Sequence, residues 1–172
     1  MTWKFISRIA PLAVLLVSCQ GTNVDLPDTW NTYRNSRFNF EFLYPSNWIP
    51  FPLPDNLDGR AFRDPENPDC EIRGWAEFAP LGTPSPESTS QPLNPSQPQN
   101  FFTEQGETGQ LQVNLDSDIS VMTLTLTQNN VSYNWQGRCE SEQFADYYRF
   151  FYYIARQYRL PVPDKNGMTN DK

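Results

Sequence analysis

Apolar residues recur at every second position along several stretches of the chain, then near the C-terminus at every third or fourth. Phe38-Asn39-Phe40-Glu41-Phe42 alternates apolar with polar residues, which predicts a strand with one buried face, and Tyr44-Pro45-Ser46-Asn47 ends it in a turn. Trp48, Ile49 and Phe51 begin a second extended stretch. Pro50, Pro52 and Pro54 remove donors from any ladder there and restrict it to an edge or an irregular run. Asp55 to Gly59 is turn chemistry, Arg60 to Pro65 a brief strand and Glu71 to Phe78 a longer one. Leu111-Val113-Leu115, Met122-Leu124-Leu126 and Val131-Tyr133-Trp135 each have period two. They are separated by the turn formers Asp116-Ser117-Asp118 and Asn129-Asn130, so together they predict an antiparallel meander.

From Ser141 the period changes. Phe144, Tyr147, Tyr148, Phe151, Ile154, Ala155 and Tyr158 fall on one stripe of a helix, with Ser141 as its expected N-cap. Arg156 and Arg159 suit the negative end of the helix dipole, and Pro161 ends the helix. Strands followed by one aromatic amphipathic helix predict an α+β fold, with the helix lying across the sheet and its stripe in the core.

The N-terminus has a different pattern. Lys4 and Arg8 precede an apolar run from Ile9 to Val17, the layout of an export signal and too short for the roughly 20 residues of a membrane span. Leu16-Val17-Ser18-Cys19 resembles the bacterial lipobox. The resemblance implies that residues 1–18 are removed and that Cys19 is diacylated as the first mature residue, anchoring the protein to a membrane on its periplasmic or lumenal side. An ordinary signal with an incidental cysteine is the other reading. The cut takes away two cations and no acid, so the mature chain is more acidic than the net −7 of the whole. Residues 19–29 then form a short polar tether, and a single domain is expected over residues 30–161, with a tail at 162–172. Residues 80–100 are Pro, Ser, Thr, Gln and Asn with almost no apolar side chain. They predict a disordered loop inserted in that domain, because such a segment cannot bury enough surface to offset its ordering entropy.

Composition narrows the chemistry. The chain has no histidine, which excludes Ser-His-Asp and Cys-His catalysis, His-ligated zinc and a histidine pH switch. A net acidic chain without a basic run excludes a nucleic-acid partner of the usual kind. With Cys19 lipidated, Cys70 and Cys139 remain as a pair in an exported chain, where oxidising conditions favour a structural disulfide. Two buried free thiols are the alternative. Arg138 precedes Cys139, just before the helix, and this offers the one hint of an activated redox thiol.

The run Phe38 to Trp48, followed by the Asp58-Gly59 turn and the strand end Phe62-Arg63-Asp64-Pro65, resembles the opening of PsbP-like domains. The resemblance would cover roughly Tyr33 to Leu160. It implies an antiparallel β-sheet flanked by helices, an αβα sandwich, in a lipoprotein of the cyanobacterial type facing the thylakoid lumen. It further implies an accessory or assembly role beside a membrane complex such as photosystem II. The insertion at 80–100 and the cysteine pair depart from PsbP itself.

Asp55, Asp58, Asp64, Glu66 and Asp69 gather acid in a short stretch, but their spacing is that of turns rather than of an EF-hand, and no metal or other cofactor is expected. Trp75 and Trp135 lie in predicted strands. Exposed together they would mark a protein-binding patch; otherwise they pack beneath the helix and loop. The function expected is non-catalytic binding at a membrane, and the alternative is a small envelope enzyme using carboxylates or the Cys70/Cys139 pair.

Overall fold

The computed structural model describes residues 24, 26–79 and 99–162. The signal segment 1–18, Cys19, and most of the tether, of the 80–100 insertion and of the 162–172 tail lie outside the described residues. The elements run β1 (Trp30–Arg34), β2 (Glu41–Pro45), β3 (Ile49–Pro50), β4 (Gly59–Arg63), β5 (Glu71–Phe78), β6 (Phe101–Phe102), β7 (Thr108–Asn114), β8 (Ile119–Gln128), β9 (Val131–Glu140) and α1 (Ser141–Arg156).

Seven strands form one antiparallel sheet in the order β3-β4-β5-β9-β8-β7-β6, and β1 and β2 form a separate hairpin. Two meanders, β3 to β5 and β6 to β9, therefore meet where β5 pairs with β9 from Glu71↔Arg138 to Phe78↔Val131. Asn129 and Asn130 both take positive φ at the β8–β9 turn, the tight hairpin geometry that asparagine tolerates. Pro50 sits on the outermost strand, where its missing N–H costs no ladder bond.

Pairing register sorts the sheet's side chains into two faces. Phe62, Ile72, Ala76, Met122, Leu124, Leu126, Tyr133 and Trp135 are buried on one face, beneath α1 and the β1–β2 hairpin. Arg73, Trp75, Thr123, Thr125 and Gln136 occupy the other. One helix is found among the described residues, and it covers one face of the sheet; the expected helices on both sides are not seen among them. The polar side chains of the second face have nothing to gain from being buried beneath another helix.

The sandwich closes at two glycines. A methyl group at Gly74 would meet the Phe42 ring, and one at Gly137 would lie 2.6 Å from Phe151 Cγ and Cδ1. The hairpin is held by Asn35, whose Oδ1 accepts from the Arg37 and Phe38 amides at 2.9 and 2.7 Å, and whose Nδ2 donates to the Leu57 carbonyl at 2.9 Å. Past the helix, Arg159 and Glu41 exchange backbone hydrogen bonds of 2.9 Å each, so the chain returns along β2.

Several local expectations are redrawn. Phe38 and Phe40 are buried as the alternation requires, yet they lie in the turn before β2 rather than in a strand. Glu140, not Ser141, occupies the N-cap position of α1, without a side-chain capping bond; the Ser141 hydroxyl instead donates to the Asp116 carbonyl at 2.6 Å and pairs with the Ser120 hydroxyl at 2.7 Å. Tyr148 leaves the buried stripe at 41% exposure, and Phe150 takes a place in it, stacking on Trp30 with ring centroids 5.8 Å apart. The β1–β2 hairpin draws the buried arc of the helix round toward Phe150. Tyr158 follows the helix end and is still buried, packed face to face on Phe40 and Phe42.

Candidate functional site

Cys70 and Cys139 are joined by a disulfide, with Cα atoms 4.2 Å apart. Glu71 pairs with Arg138, so the cysteines continue that register as the next cross-strand pair. Both are fully buried beneath α1. Arg138 does not activate either sulfur. Neighbouring strand residues point to opposite faces, and the Arg138 guanidinium is directed away from Cys139 to an ion pair with Glu71 at 2.8 Å.

The acidic stretch does not converge either. Asp64 is nearly buried, and its carboxylate accepts from the Tyr147 hydroxyl of α1 and from the Glu66 amide at 2.8 Å. Asn67 donates to the same hydroxyl at 2.7 Å, and Gln143 donates to Asn67 at 3.4 Å. Burial first, then the hydrogen bond to Asp64, pushes the Tyr147 phenol well above its ordinary value of 10.0. This network ties the β4–β5 loop to the helix. Asp58, by contrast, accepts from the Asn56 side chain at 2.7 Å in an exposed turn. Among the described residues, no group of three or more carboxylates and thiols is placed to hold a metal ion.

The two tryptophans face opposite ways. Trp135 is fully buried against Phe151, edge to face at 6.1 Å between ring centroids. Trp75 lies half-buried on the open face of the sheet, with the Arg73 guanidinium 4.9 Å from its ring centre. They cannot form one patch together, because one residue of register sends Trp135 inward with Gly74 and Trp75 outward with Asn134. Around Trp75 this face carries Gln136, Thr123 and Thr125 across β9 and β8, and the Thr125 hydroxyl donates to the buried Asn134 at 3.0 Å. A polar sheet face with one arginine-clasped tryptophan has the composition of a contact surface.

Sequence reasoning missed a second feature. A groove of about 530 Å³ lies between α1 and the end of β7, lined by Val113, Leu115, Phe144, Ala145, Tyr148 and Arg149 among others. Its one sequence signal was the position of Tyr148, at the margin of the apolar stripe. Which side of that margin is covered depends on where β7 ends beneath the helix.

No family model matches the chain, and no curated protein matches it. Among solved structures it is similar to that of cyanobacterial PsbP (CyanoP) from Synechocystis sp. PCC 6803, at 15% identity and a TM-score of 0.46, over 85% of this chain and 99% of that one. It is also similar to a crystal structure of a protein from Bacteroides thetaiotaomicron, at 14% identity and a TM-score of 0.45. That match covers 72% of this chain and 46% of the other, so the chain spans under half the length of that protein.

Proposed function

We propose that this protein is an exported lipoprotein, held to a bacterial membrane through Cys19, that works by binding as an accessory or assembly factor beside a membrane complex. The observation that carries the binding role is the open sheet face. Trp75, braced by Arg73, lies there on the side away from α1, where a partner could be received without disturbing the core. The anchoring part is supported by the charge-then-apolar N-terminus ending in Ser18-Cys19, and by the Cys70–Cys139 bridge, which belongs to an oxidising compartment. The resemblance to PsbP-like domains makes photosystem II the first complex to examine. A buried disulfide and a carboxylate spent on Tyr147 support binding over catalysis.

A photoreactive amino acid in place of Arg73, introduced into the full-length chain in its native membrane, tests the reading. The expected result is crosslinking to a defined membrane-complex subunit, with much weaker capture from the same group placed at Arg159, beyond the helix. Equal capture from both positions, or none from Arg73, overturns the role of the open face.

A further inference from the structure

We propose that the side of the domain formed by α1 and the end of β7 docks on the bilayer itself, so that the open sheet face points away from the membrane. This rests on the lipid anchor at Cys19 proposed above and adds an orientation and a contact surface to it.

The first argument is reach. The described chain begins at Val24, which packs against the core and donates its amide to the Asp146 carbonyl of α1 at 3.2 Å. Cys19 lies five positions upstream, and a fully extended chain advances at most about 3.6 Å per residue, so the lipidated residue stays within about 18 Å of Val24. Val24 sits on the outer layer of the fold. Trp75 and Arg73 lie beyond both the helix, about 10 Å across, and the sheet beneath it. A tether that short keeps the helix side near the lipid and the Trp75 side far from it.

The second argument is what that side displays. Leu115 is 75% exposed and Leu26, two residues after Val24, is 51% exposed; Tyr148 and Tyr152 are partly exposed and stack on each other with ring centroids 6.4 Å apart. Of these, Leu115 and Tyr148 line the groove between β7 and the helix together with Val113, and Arg149 and Asp116 lie there too. Aliphatic side chains for the acyl boundary, tyrosines for the headgroup level and an arginine able to extend its head into water are the components of an interfacial contact. Glu142 and Asp146 share this helix, so apolar and aromatic insertion drives the contact rather than attraction to anionic lipid.

The test uses the full-length lipidated protein reconstituted in vesicles of phosphatidylcholine and phosphatidylglycerol, some of the lipid carrying a nitroxide on its headgroup. A fluorophore is attached at Ala145→Cys, on the outer side of α1, or at Glu77→Cys, on the open sheet face; both positions are exposed and Cys70 and Cys139 are already bridged. Quenching at position 145 should exceed that at 77 severalfold, and Leu115→Asp, at a site too exposed to affect folding, should reduce it by at least half. Equal quenching at the two positions, or more at 77, overturns the orientation. A preference for 145 that Leu115→Asp leaves unchanged overturns docking, since the tether alone would then set the geometry. Acyl mass on the same protein reads the anchor separately: acylated protein without the preference refutes this inference alone, whereas absence of the acyl group refutes both.

Discussion

Removing the disulfide is the perturbation whose size can be worked out most directly. Cys70 and Cys139 are 69 residues apart in sequence, and both are fully buried. For a loop of that length, the chain-entropy relation with ΔS of −2.1 − 1.5R ln n gives about 15 cal/mol/K, or about 4 kcal/mol at 25 °C. Replacing both by alanine also removes two buried sulfurs from a packed site, which adds to the loss. Against this, the eight-residue ladder between β5 and β9 survives and still aligns the strands. The double variant Cys70→Ala/Cys139→Ala should therefore lose about 4 kcal/mol. With a urea m-value of about 2 kcal/mol/M, typical of a domain this size, the midpoint should fall by about 2 M. Equilibrium unfolding followed by tryptophan fluorescence measures it, since Trp135 is fully buried in the native core. The variant's slope should be equal or somewhat steeper, because its unfolded chain is less constrained. A loss below about 1 kcal/mol at unchanged slope would refute the argument, because it would mean that the unfolded chain gains little freedom when the bridge is absent.

Three further outcomes follow from the packing. Gly137→Ala places a methyl group 2.6 Å from the Phe151 ring and 2.9 Å from Trp135 Cη2, and should cost about 1–3 kcal/mol in thermal unfolding, partly recovered in combination with Phe151→Leu. Tyr147→Phe removes the bond to the nearly buried Asp64 carboxylate and should cost about 1.5–3 kcal/mol; in a cycle with Asp64→Asn the losses should be clearly non-additive, and simple additivity would count against the contact. Burial holds the Tyr133, Tyr147 and Tyr158 phenols above their ordinary 10.0, so the unfolded chain releases those protons first as pH rises. Stability should be level below pH 10 as far as these groups are concerned and fall above it. For Tyr158, which is fully enclosed, the slope approaches about 1.4 kcal/mol per pH unit, and Tyr158→Phe should flatten the decline in urea melts between pH 9 and 11.

Legibility followed the range of the interactions involved. Period-two runs at Met122–Leu126 and Val131–Trp135 and the helical period after Ser141 can be read locally, because the chain's own geometry sets which side chains share a face. The cysteine pairing was also readable, since setting Cys19 aside as the expected lipidation site leaves only Cys70 and Cys139. The β1 strand escaped notice because its pattern, Trp30-Asn31-Thr32-Tyr33-Arg34, buries neither face fully and forms only against β2. Phe150 was hidden for a similar reason: its partners Trp30, in β1, and Trp48, in the turn before β3, lie more than a hundred residues away in sequence.

The candidate surfaces divide in the same way. Sequence alone determined which side chains exist to act: no histidine, few cations, many aromatic rings and an N-terminus with a charge-then-apolar pattern. It also determined that Arg138 and Cys139 must point apart once they lie in a strand, because alternation is a property of the backbone. That Trp75 and Trp135 face opposite ways was a matter of register between β5 and β9, and a shift of one residue would have put both on the same face. The open face, the groove beside Tyr148 and the seating of Val24 on α1 all depend on which elements lie against which. Those contacts join residues distant in sequence, and only the folded arrangement brings them together.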